Sequence, residues 1–395
     1  MKIVMIPSGF KECLDAEDVA LAMERGARRL DRSIDLEVVP MIDGGEGFVK
    51  TIISIKKGNI IHKEVTGPVG KQIWSYFGIF EENDKRTAVI EMAAAAGLKL
   101  VPRDQRDPLK TTTYGVGELI LSALDFGVDN ILIGCGDSGT NDGGAGMAQA
   151  LGVRFYDQNH HNVIINGGED LLKVDSVDTV NLDKRLRKVT IDVACNWKNV
   201  LCGKEGVARV FGPQKGATPE QVDRLSAALE RYASIIQASM SLNVRSLPGS
   251  GASGGLGAGL LAFTGATLHP RFDIIMDYIK IEEKIAAADV VITAEGSLDF
   301  QTPNGKIPSE VARIAKKYNI PVIAITGTIG KGADLNYRAG IDAYLSIIQT
   351  PATLEKAITN APLWIEEGTE SVLRQLVIGL DIANRKLHRE GIYQS

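Results

Sequence analysis

The sequence predicts an α/β protein in which a second α/β domain is inserted into a doubly wound parallel-sheet domain. The length of 395 residues is too great for one ordinary domain. Both ends of the chain alternate short apolar runs with segments of helical periodicity, which is typical of βαβ units. The middle differs, because half-exposed strands and glycine-dense loops replace that alternation. We therefore expect residues 1–66 and 271–395 to form the interrupted domain and residues 67–270 to form the insertion.

The two ends of the chain carry the elements of one parallel sheet. Apolar runs at residues 3–6 and 36–41 predict buried strands, and apolar residues at helical spacing over 15–30 predict a helix between them. A second helix is predicted over 48–55. The C-terminal region repeats the pattern, with strands predicted at 290–293, 322–325 and 343–347 and helices at 309–317, 353–358 and 364–386.

The middle region contains fewer regular elements and one clear helix start. Strands are predicted at 73–80, 87–92 and 131–133. A helix is predicted to begin after Thr218, because Pro219 occupies its first position and Gln221 completes a capping box.

Composition excludes several classes of protein. A net charge of −5 gives no electrostatic reason to expect nucleic acid or an anionic membrane as a partner. No apolar run approaches the roughly 18–20 residues that span a bilayer. The four cysteines show no CxxC spacing, so we expect reduced, mostly buried thiols in a cytoplasmic protein and no zinc site.

Four glycine-rich loops, at 43–47, 136–144, 248–259 and 295–299, lie between predicted elements. Backbone amides where a strand leads into a helix can bind an anion, and flanking carboxylates can hold a cation. A tight turn that needs positive φ also explains each loop taken alone. Four such loops, each with a hydroxyl or a carboxylate, favour a phosphate site.

Three lysines, Lys11, Lys215 and Lys306, stand beside glycines or strand ends and add positive charge to these loops. Phosphoryl transfer needs Mg²⁺, cationic donors on the phosphates and an in-line hydroxyl, with little covalent help from the protein. The chain contains neither a Walker A motif nor the protein-kinase signature set. We therefore predict a small-molecule kinase on a different scaffold.

A competing interpretation rests on the GxGxxG pattern from Gly249 to Gly254, which is also found in nicotinamide-dependent oxidoreductases. The residues before it, 242–247, do not form a convincing strand, and no acidic ribose partner is suitably placed. A phosphate loop or close helix packing fits this segment better.

Several motifs, taken in chain order, resemble the bacterial glycerate kinase family that makes 2-phosphoglycerate. These motifs are Asp43-Gly44-Gly45-Glu46-Gly47, Ile90-Glu91-Met92-Ala93-Ala94-Ala95, Thr111-Thr112-Thr113-Tyr114-Gly115, Thr140-Asn141-Asp142-Gly143-Gly144, Val210-Phe211-Gly212-Pro213-Gln214-Lys215-Gly216, Pro248-Gly249-Ser250-Gly251 and Gly254-Gly255-Leu256-Gly257. The resemblance runs from about residue 1 to 360. It implies a discontinuous flavodoxin-like domain and an inserted α/β domain. It also implies that ATP and Mg²⁺ phosphorylate a small hydroxy acid in the interdomain cleft, with glycerate as the first candidate.

The resemblance and the loop chemistry together suggest roles for individual residues. As catalytic groups we expect Lys11, Asp43, Asp142 and Lys215. As nucleotide-binding groups we expect Ser138, Thr140, Asn141, Gly143, Gly144, Gln214, Ser250, Gly251, Gly254 and Gly255. As substrate-binding groups we expect Lys11, Gly44, Gly45, Glu46, Asn196, Ser297 and Asp299, and as metal ligands Asp43, Asp142 and Glu295. Base and metal ligand are not separable here, because both tasks call for a carboxylate at a strand end.

The chain departs from the family pattern in four places. Residues 7–11 read Pro-Ser-Gly-Phe-Lys instead of Pro-Asp-Ser-Phe-Lys, and residues 195–201 read Cys-Asn-Trp-Lys-Asn-Val-Leu instead of Cys-Asp-Val-Asp-Asn-Pro-Leu. Ser297 replaces an arginine, and Asp137 replaces a glycine. An arginine there would be a natural partner for a substrate carboxylate. The changes favour the hypothesis of a retained nucleotide site with an altered acceptor site; ordinary drift is the alternative.

Three readings of the function therefore stay open from the sequence. The first is a glycerate kinase or a kinase for another small hydroxy acid or polyol. The second is a weakly active paralogue that binds a nucleotide or metabolite. The third is the oxidoreductase. Besides the nucleotide and the small-molecule substrate we expect no nucleic acid and no membrane, and the oligomeric state stays open, with a homodimer as one option.

Overall fold

The structure is a computed structural model that describes residues 1–10, 13–42 and 44–389. Its strands are β1 (Lys2–Pro7), β2 (Asp35–Val38), β3 (Asn59–Thr66), β4 (Gln72–Glu82), β5 (Lys85–Glu91), β6 (Asn130–Gly134), β7 (Arg154–Tyr156), β8 (Asn162–Val163), β9 (Ser176–Asp178), β10 (Thr190–Cys195), β11 (Thr267–Pro270), β12 (Val290–Leu298), β13 (Val322–Ile329) and β14 (Ala343–Ser346).

The α-helices are α1 (Ala16–Leu30), α2 (Phe48–Lys56), α3 (Ala93–Ala96), α4 (Tyr114–Asp125), α5 (Ala145–Ala150), α6 (Val207–Phe211), α7 (Pro219–Met240), α8 (Ala252–Thr264), α9 (Arg271–Tyr278), α10 (Ile281–Ala286), α11 (Ile307–Lys317), α12 (Leu335–Arg338) and α13 (Leu354–Arg389). Short 3₁₀ turns cover Leu98–Leu100, Arg103–Gln105, Gly168–Lys173, Lys184–Lys188, Pro213–Lys215 and Thr302–Asn304.

Two compact units make up the chain. Residues 1–42 and 280–395 form unit 1, and residues 43–279 form unit 2. The boundaries therefore lie at 42/43 and 279/280 and not at the expected 66/67 and 270/271. The first moves because α2 packs on β4 and β5, and β3 pairs with β4 from Asn59 opposite Ile79 to Thr66 opposite Gln72. The second moves because α9 packs against β10 and β11 of unit 2.

Unit 1 is built on a five-stranded parallel sheet in the order β14-β13-β12-β1-β2. Numbered within the unit this is 2-1-3-4-5, the flavodoxin-like order that the resemblance implies. Helices α1 and α13 pack together on the sheet through Val19, Met23, Trp364 and Ile365. They come close because Gly26 has no side chain: a Cβ there would lie 2.3 Å from the carbonyl oxygen of Glu366.

Unit 2 is built on a six-stranded mixed sheet in the order β11-β10-β6-β5-β4-β3. Strands β5, β6, β10 and β11 run parallel, and β4 is antiparallel to both of its neighbours. One apolar cluster lies between this sheet and α4 and α8, and a second joins α7 to the small sheet β8-β7-β9. The predicted capping box at the start of α7 is confirmed, with Thr218 and Gln221 bonded reciprocally.

Two further predictions can be compared with the structure. All four cysteines are free thiols, and Cys135, Cys195 and Cys202 are buried. Among the helices of the described residues, none combines the length and apolar character needed to cross a bilayer.

Candidate functional site

In unit 2, the loops that follow β5, β6 and β10 meet at one edge of the sheet, because the carboxyl ends of parallel strands share that edge. The loop at 44–47 packs directly on the backbone after β6, where a Cβ on Gly136 would lie 2.6 Å from the Cα of Gly45. A Cβ on Gly44 would lie 3.3 Å from the carbonyl oxygen of Ala194 in β10. The first two glycine loops of the sequence are therefore brought together.

The loop at 136–144 also packs against the third glycine loop. The amide of Gly143 donates to the carbonyl of Gly254 at 3.0 Å, and a Cβ on Gly254 would lie only 1.9 Å from the carbonyl oxygen of Thr140. Ser253, Gly254 and Gly255 have φ values of 52°, 72° and 90°, so the start of α8 is a left-handed turn and not helical. Glycine is needed here for close approach and for backbone conformation.

Asp142 is completely buried and organises its own loop. Its carboxylate accepts from the amide and hydroxyl of Thr113, each at 2.8 Å, and from the amides of Gly144 and Gly146 at 3.1 and 3.2 Å. Burial raises the pKa of Asp142, while these hydrogen bonds oppose the shift. Both oxygens accept hydrogen bonds, so Asp142 anchors its own loop, and its metal or acid–base role stays a prediction.

The threonine motif at 111–113 ties three segments together. Thr111 donates to the carbonyl of Gly139 at 2.9 Å, Thr112 donates to that of Ile165 at 3.4 Å, and Thr113 bonds Asp142. Because two of the three side chains bond the loop at 136–144 and the third bonds the segment at Ile165, the motif holds that loop in place.

Lys215 is buried against the same loop. Its ammonium donates to the hydroxyl of Ser138 at 2.8 Å and to the carbonyl of Thr140 at 2.6 Å. Burial lowers the pKa of Lys215 to about 7, and the charge of Asp142 opposes the shift. Gln214, one residue earlier, is exposed. The structure thus joins Lys215, Ser138 and Thr140, as a shared site requires.

Thr140 and Asn141 contain buried polar atoms that lack a protein partner. Both residues have no exposed surface, yet the hydroxyl of Thr140 and both amide atoms of Asn141 find no hydrogen-bond partner among the described residues. Leaving such atoms unpaired costs about 1–3 kcal/mol each. Buried polar atoms are nearly always satisfied, so these mark the place where a polar ligand or water completes the structure.

The predicted phosphate cradle of backbone amides is not supported at most of its positions. The amides of Ser250, Gly251 and Gly255 donate to the carbonyls of Leu247, Asn199 and Gly251. The amides of Gly143 and Gly144 are likewise used, by Gly254 and by Asp142. The glycines of these loops therefore serve backbone packing, and the groups left for a ligand are the side chains of Ser138, Thr140, Asn141 and Lys215.

An acidic corner lies at the same edge of the sheet. Glu46 is exposed and its carboxylate pairs with Lys99, while its amide donates to the carboxylate of Asp137 at 2.9 Å. Asp137 has a φ of 48°, a left-handed conformation that aspartate tolerates better than most residues. The side chain that replaces the family's glycine therefore gains a bond to the loop at 44–47.

Glu91, the last residue of β5, completes this corner and is 2% exposed. Burial raises its pKa to about 7; amide hydrogen bonds from Val49 and Gly47 oppose the shift. Glu91 belongs to one of the family-like motifs, but the sequence alone assigns it no role. A signal was present, because it is a carboxylate at the end of the otherwise uncharged run 87–92.

The other predicted acceptor residue of unit 2, Asn196, directly follows β10. It is half-buried and its side-chain oxygen accepts from the amide of Lys198 at 3.1 Å, which closes a turn. The side chain of Lys198 is exposed. Asn196 thus lies at the same edge of the sheet, and its side-chain nitrogen takes no part in this turn.

Unit 1 has its own polar cluster, in the segment that continues β12. Glu295 accepts from the hydroxyl of Thr302 at 2.6 Å, and Lys306 lies 3.6 Å from Glu295 and 3.3 Å from Asp299. Burial raises the pKa of Glu295, while Thr302 and Lys306 oppose the shift. The segment was predicted as a loop, but it is strand, since Ser297 pairs with Thr328 of β13.

The ends of β1 and β12 meet at the point where strand order reverses, which is where ligands bind in such sheets. Ser8 follows β1 and donates its hydroxyl to the carbonyl of Ala294 at 2.8 Å. Lys11 and Asp43, which we predicted as catalytic, lie outside the described residues. Within the residues that are described, no three His, Cys, Asp or Glu side chains are grouped to hold a metal ion.

The oxidoreductase interpretation is not supported by the local structure. The residues before Gly249 form turns and irregular chain, so no strand leads into the GxGxxG segment. Gly251 and Gly254 pack on the carbonyls of Val200 and Thr140, so these two glycines serve close packing of the backbone.

Fold and site together define an α/β enzyme whose polar side chains stand at the carboxyl ends of parallel strands. The model of the glycerate kinase family matches residues 3–377. Glycerate 2-kinase of Escherichia coli (strain K12) is 43% identical over 96% of this chain and 99% of its own. Glycerate kinase of Bacillus subtilis (strain 168) is 44% identical, with 94% and 97% covered. A solved structure of glycerate kinase 2 from Salmonella typhimurium LT2 superposes with a TM-score of 0.84, 47% identity, and 96% and 99% covered.

The chain therefore belongs to the glycerate kinase family. It is a small-molecule kinase, and the family resemblance that its motifs predicted is confirmed.

Proposed function

We propose that this protein transfers a phosphoryl group from ATP to the 2-hydroxyl of glycerate. The observation that carries the proposal is the pair of buried, unpartnered residues Thr140 and Asn141 beside the ammonium of Lys215. A relative named glycerate 2-kinase at 43% identity supports the acceptor and the position of the hydroxyl.

The side chains present in unit 2 fit a polyphosphate. Lys215 and Ser138 offer an ammonium and a hydroxyl, and Thr140 and Asn141 offer donors that no group of the described residues uses. In a buried setting such donors interact strongly with an anion and are already oriented before it binds. When bound, Mg-ATP supplies the phosphoryl group, and its metal ion offsets part of the negative charge. Asp142 and Thr113 keep the loop that carries these donors in place.

Magnesium requires little from the protein in such reactions, because it is usually held by one or two carboxylates together with substrate phosphates. Glu295, which was predicted as a metal ligand, stays the candidate in unit 1; it accepts from Thr302 and pairs with Lys306. A buried carboxylate with a raised pKa needs a cation beside it to stay ionised, and Lys306 supplies that charge here.

A different hydroxy acid as the preferred acceptor is the second candidate. The observation that favours it is the set of polar groups at strand ends, Asn196 and Ser297, where the family pattern has an acid and an arginine. Serine cannot make the bidentate bond to a carboxylate that arginine makes, so recognition of the acid would rest on other groups.

Two finer statements belong to the same proposal. Use of ATP and the free cysteines fit a cytoplasmic enzyme. A homodimer stays a proposal that sedimentation of the purified protein would test.

The test is a kinase assay on the purified protein with Mg-ATP and a panel of hydroxy acids, including both glycerate enantiomers, glycolate, lactate and tartronate. We expect glycerate to give the highest kcat/KM and ³¹P NMR to identify 2-phosphoglycerate. Lys215→Met should lower turnover at least 100-fold, because the loop loses its cation. The matched variant Lys204→Met, at an exposed position, should retain full activity.

Each other outcome rejects part of the proposal. A better substrate elsewhere in the panel would replace glycerate as the acceptor. Tight binding of ATP by calorimetry without turnover of any acid would favour the weakly active paralogue. No binding of Mg-ATP at all would remove the nucleotide site.

A further inference from the structure

Glu91 is a buried carboxylate that faces the loop at 44–47. Side chains alternate along β5, so Ile90 joins the apolar cluster under α4 while Glu91 points to the opposite face, toward α2. Its position at the carboxyl end of the strand places it at the edge where the glycine loops converge.

The carboxylate of Glu91 caps helix α2. It accepts from the amide of Val49 at 3.2 Å and from the amide of Gly47. Helix α2 receives no side-chain cap from its own N-cap residue, which is Gly47 in a left-handed conformation. A negative charge at a helix N-terminus is favourable because free amides and the helix dipole point toward it.

Glu91 and Asp137 hold the loop at 44–47 from two sides. Asp137 accepts from the amide of Glu46 at 2.9 Å, and Glu91 accepts from the next amides along the chain. The side chain between these anchors is Glu46, which is exposed and pairs with Lys99. The direction in which Glu46 points therefore depends on both anchoring carboxylates.

We propose that Glu91 is a positioning residue whose ionised carboxylate fixes the loop at 44–47, and through it Glu46, for phosphoryl transfer. This inference rests on the proposed kinase function. A protonated carboxyl must use one oxygen as a donor, so it cannot accept from both amides equally well.

The charges around Glu91 make this arrangement sensitive to pH. Glu46 from the loop and Asp137 from the segment after β6 both face it with negative charge. Tyr76 of β4 faces it as well, and its pKa is raised to about 12 by burial and by the charges of Glu91 and Glu46. The described cations nearby are Lys50 of α2, 5.9 Å from the Tyr76 ring, and Lys99, which is held by Glu46. With a pKa of about 7, Glu91 changes charge close to neutral pH.

The first test compares the wild type with Glu91→Gln across pH 5.5–9. We expect kcat/KM for glycerate of the wild type to follow a bell-shaped pH profile. It rises as Glu91 ionises near pH 7, because the ionised form holds the loop, and it falls as Lys215 loses its proton near the same pH. Glu91→Gln should lower kcat at least tenfold at pH 8 with KM for ATP within twofold, and the rise near pH 7 should disappear. The matched control Glu81→Gln, on the exposed part of β4, should keep the wild-type profile.

The second test needs no activity and so separates this inference from the proposed function. Hydrogen exchange of the peptide spanning residues 44–52 should be faster in Glu91→Gln than in the wild type at pH 8 and similar at pH 5.5. Glu91→Asp, which keeps the charge, should restore part of the protection. Equal exchange in all variants at both pH values would overturn the positioning role, as would an unchanged pH profile in Glu91→Gln. A wild type inactive toward every acid would reject the function alone.

Discussion

Single residues at this site either anchor a loop or offer a polar group to a ligand, and their hydrogen-bond partners distinguish the two. Asp142 and Glu91 are both buried carboxylates, and both accept backbone amides of neighbouring loops. Asn141 is equally buried, yet its amide has no partner among the described residues. The first kind of residue costs stability when it is replaced, whereas the second kind costs stability while it stays unpaired.

Asp142→Asn should destabilise the protein and abolish most of its activity. An amide group in place of the carboxylate presents a donor to the amides of Thr113, Gly144 and Gly146, so at least one buried hydrogen bond becomes a contact between two donors. We expect a loss of about 3 kcal/mol in the free energy of unfolding, measured by urea titration, and a fall in turnover of at least 100-fold. Asp178→Asn, at the half-buried end of β9 where the carboxylate accepts from the amide of Val180, is the control. Unchanged stability would contradict the anchoring role.

At the scale of elements, the site depends on the contact between the loop at 136–144 and the left-handed turn that opens α8. The two segments are close enough for backbone to touch backbone, and Gly143 and Gly254 exchange a hydrogen bond across the contact. A side chain at Gly254 would press on the carbonyl of Thr140 and separate the loops, whereas one at Gly143 would meet Tyr232 of α7. The glycine pattern that looks like a dinucleotide motif in the sequence is therefore a packing motif in the structure.

Gly254→Ala should be far more costly than the same change at another glycine of positive φ. The new Cβ would lie 1.9 Å from the carbonyl oxygen of Thr140, and the φ of 72° adds backbone strain. Gly203 is the matched control, because its φ is 89° and a Cβ added there would have no other atom within 4 Å. We expect Gly203→Ala to lower unfolding free energy by about 1 kcal/mol and Gly254→Ala by about 3 kcal/mol. Similar losses in both would show that the loops can move apart.

Local sequence signals correctly predicted the helices and strands whose ends are set by residues close in sequence. The capping box at Thr218 and the apolar runs of β1 and β13 are examples, since neighbouring residues alone decide them. Strand β3 was missed because its residues are mostly exposed, and it is a strand by virtue of pairing with β4. That pairing, together with the packing of α2 on β4 and β5, places the domain boundary at 42/43 instead of 66/67, and neither contact has a local sequence signal.

The candidate site shows the same division. Motif positions predicted that Ser138, Thr140 and Lys215 belong together, and the structure joins them. The sequence could not reveal that the amides of Ser250, Gly251 and Gly255 are already used, because hydrogen-bond partners depend on how distant loops cross. Nor could it tell that Asp142 faces inward, since a carboxylate after a strand suits an anchor and a ligand equally well.

At the scale of the whole molecule, each unit follows the rule that ligand chemistry gathers at the carboxyl ends of parallel strands. Unit 1 places Ser8, Glu295 and Asp299 at the point where its strand order reverses. Unit 2 places Glu91 at the end of β5, and Asn141 and Asn196 after the adjacent strands β6 and β10. Because the polar atoms of such a site are buried before any ligand binds, the empty protein is less stable than its fold alone allows.

The variant Asn141→Leu tests whether the protein gives up folding stability to keep a polar ligand site. The unpartnered amide of Asn141 is lost and a side chain of similar size takes its place, so the ligand-free enzyme should gain about 1 kcal/mol in unfolding free energy. Saturating Mg-ATP at 100 times its Kd should stabilise the wild type by about 2.7 kcal/mol and the variant by much less. Differential scanning fluorimetry with and without Mg-ATP measures both effects, and Asn162→Leu, at an exposed strand position, controls for the added apolar surface. If the variant proved less stable than the wild type and kept the full response to Mg-ATP, Asn141 would be an ordinary core residue, and the unpaired amide would not mark the nucleotide site.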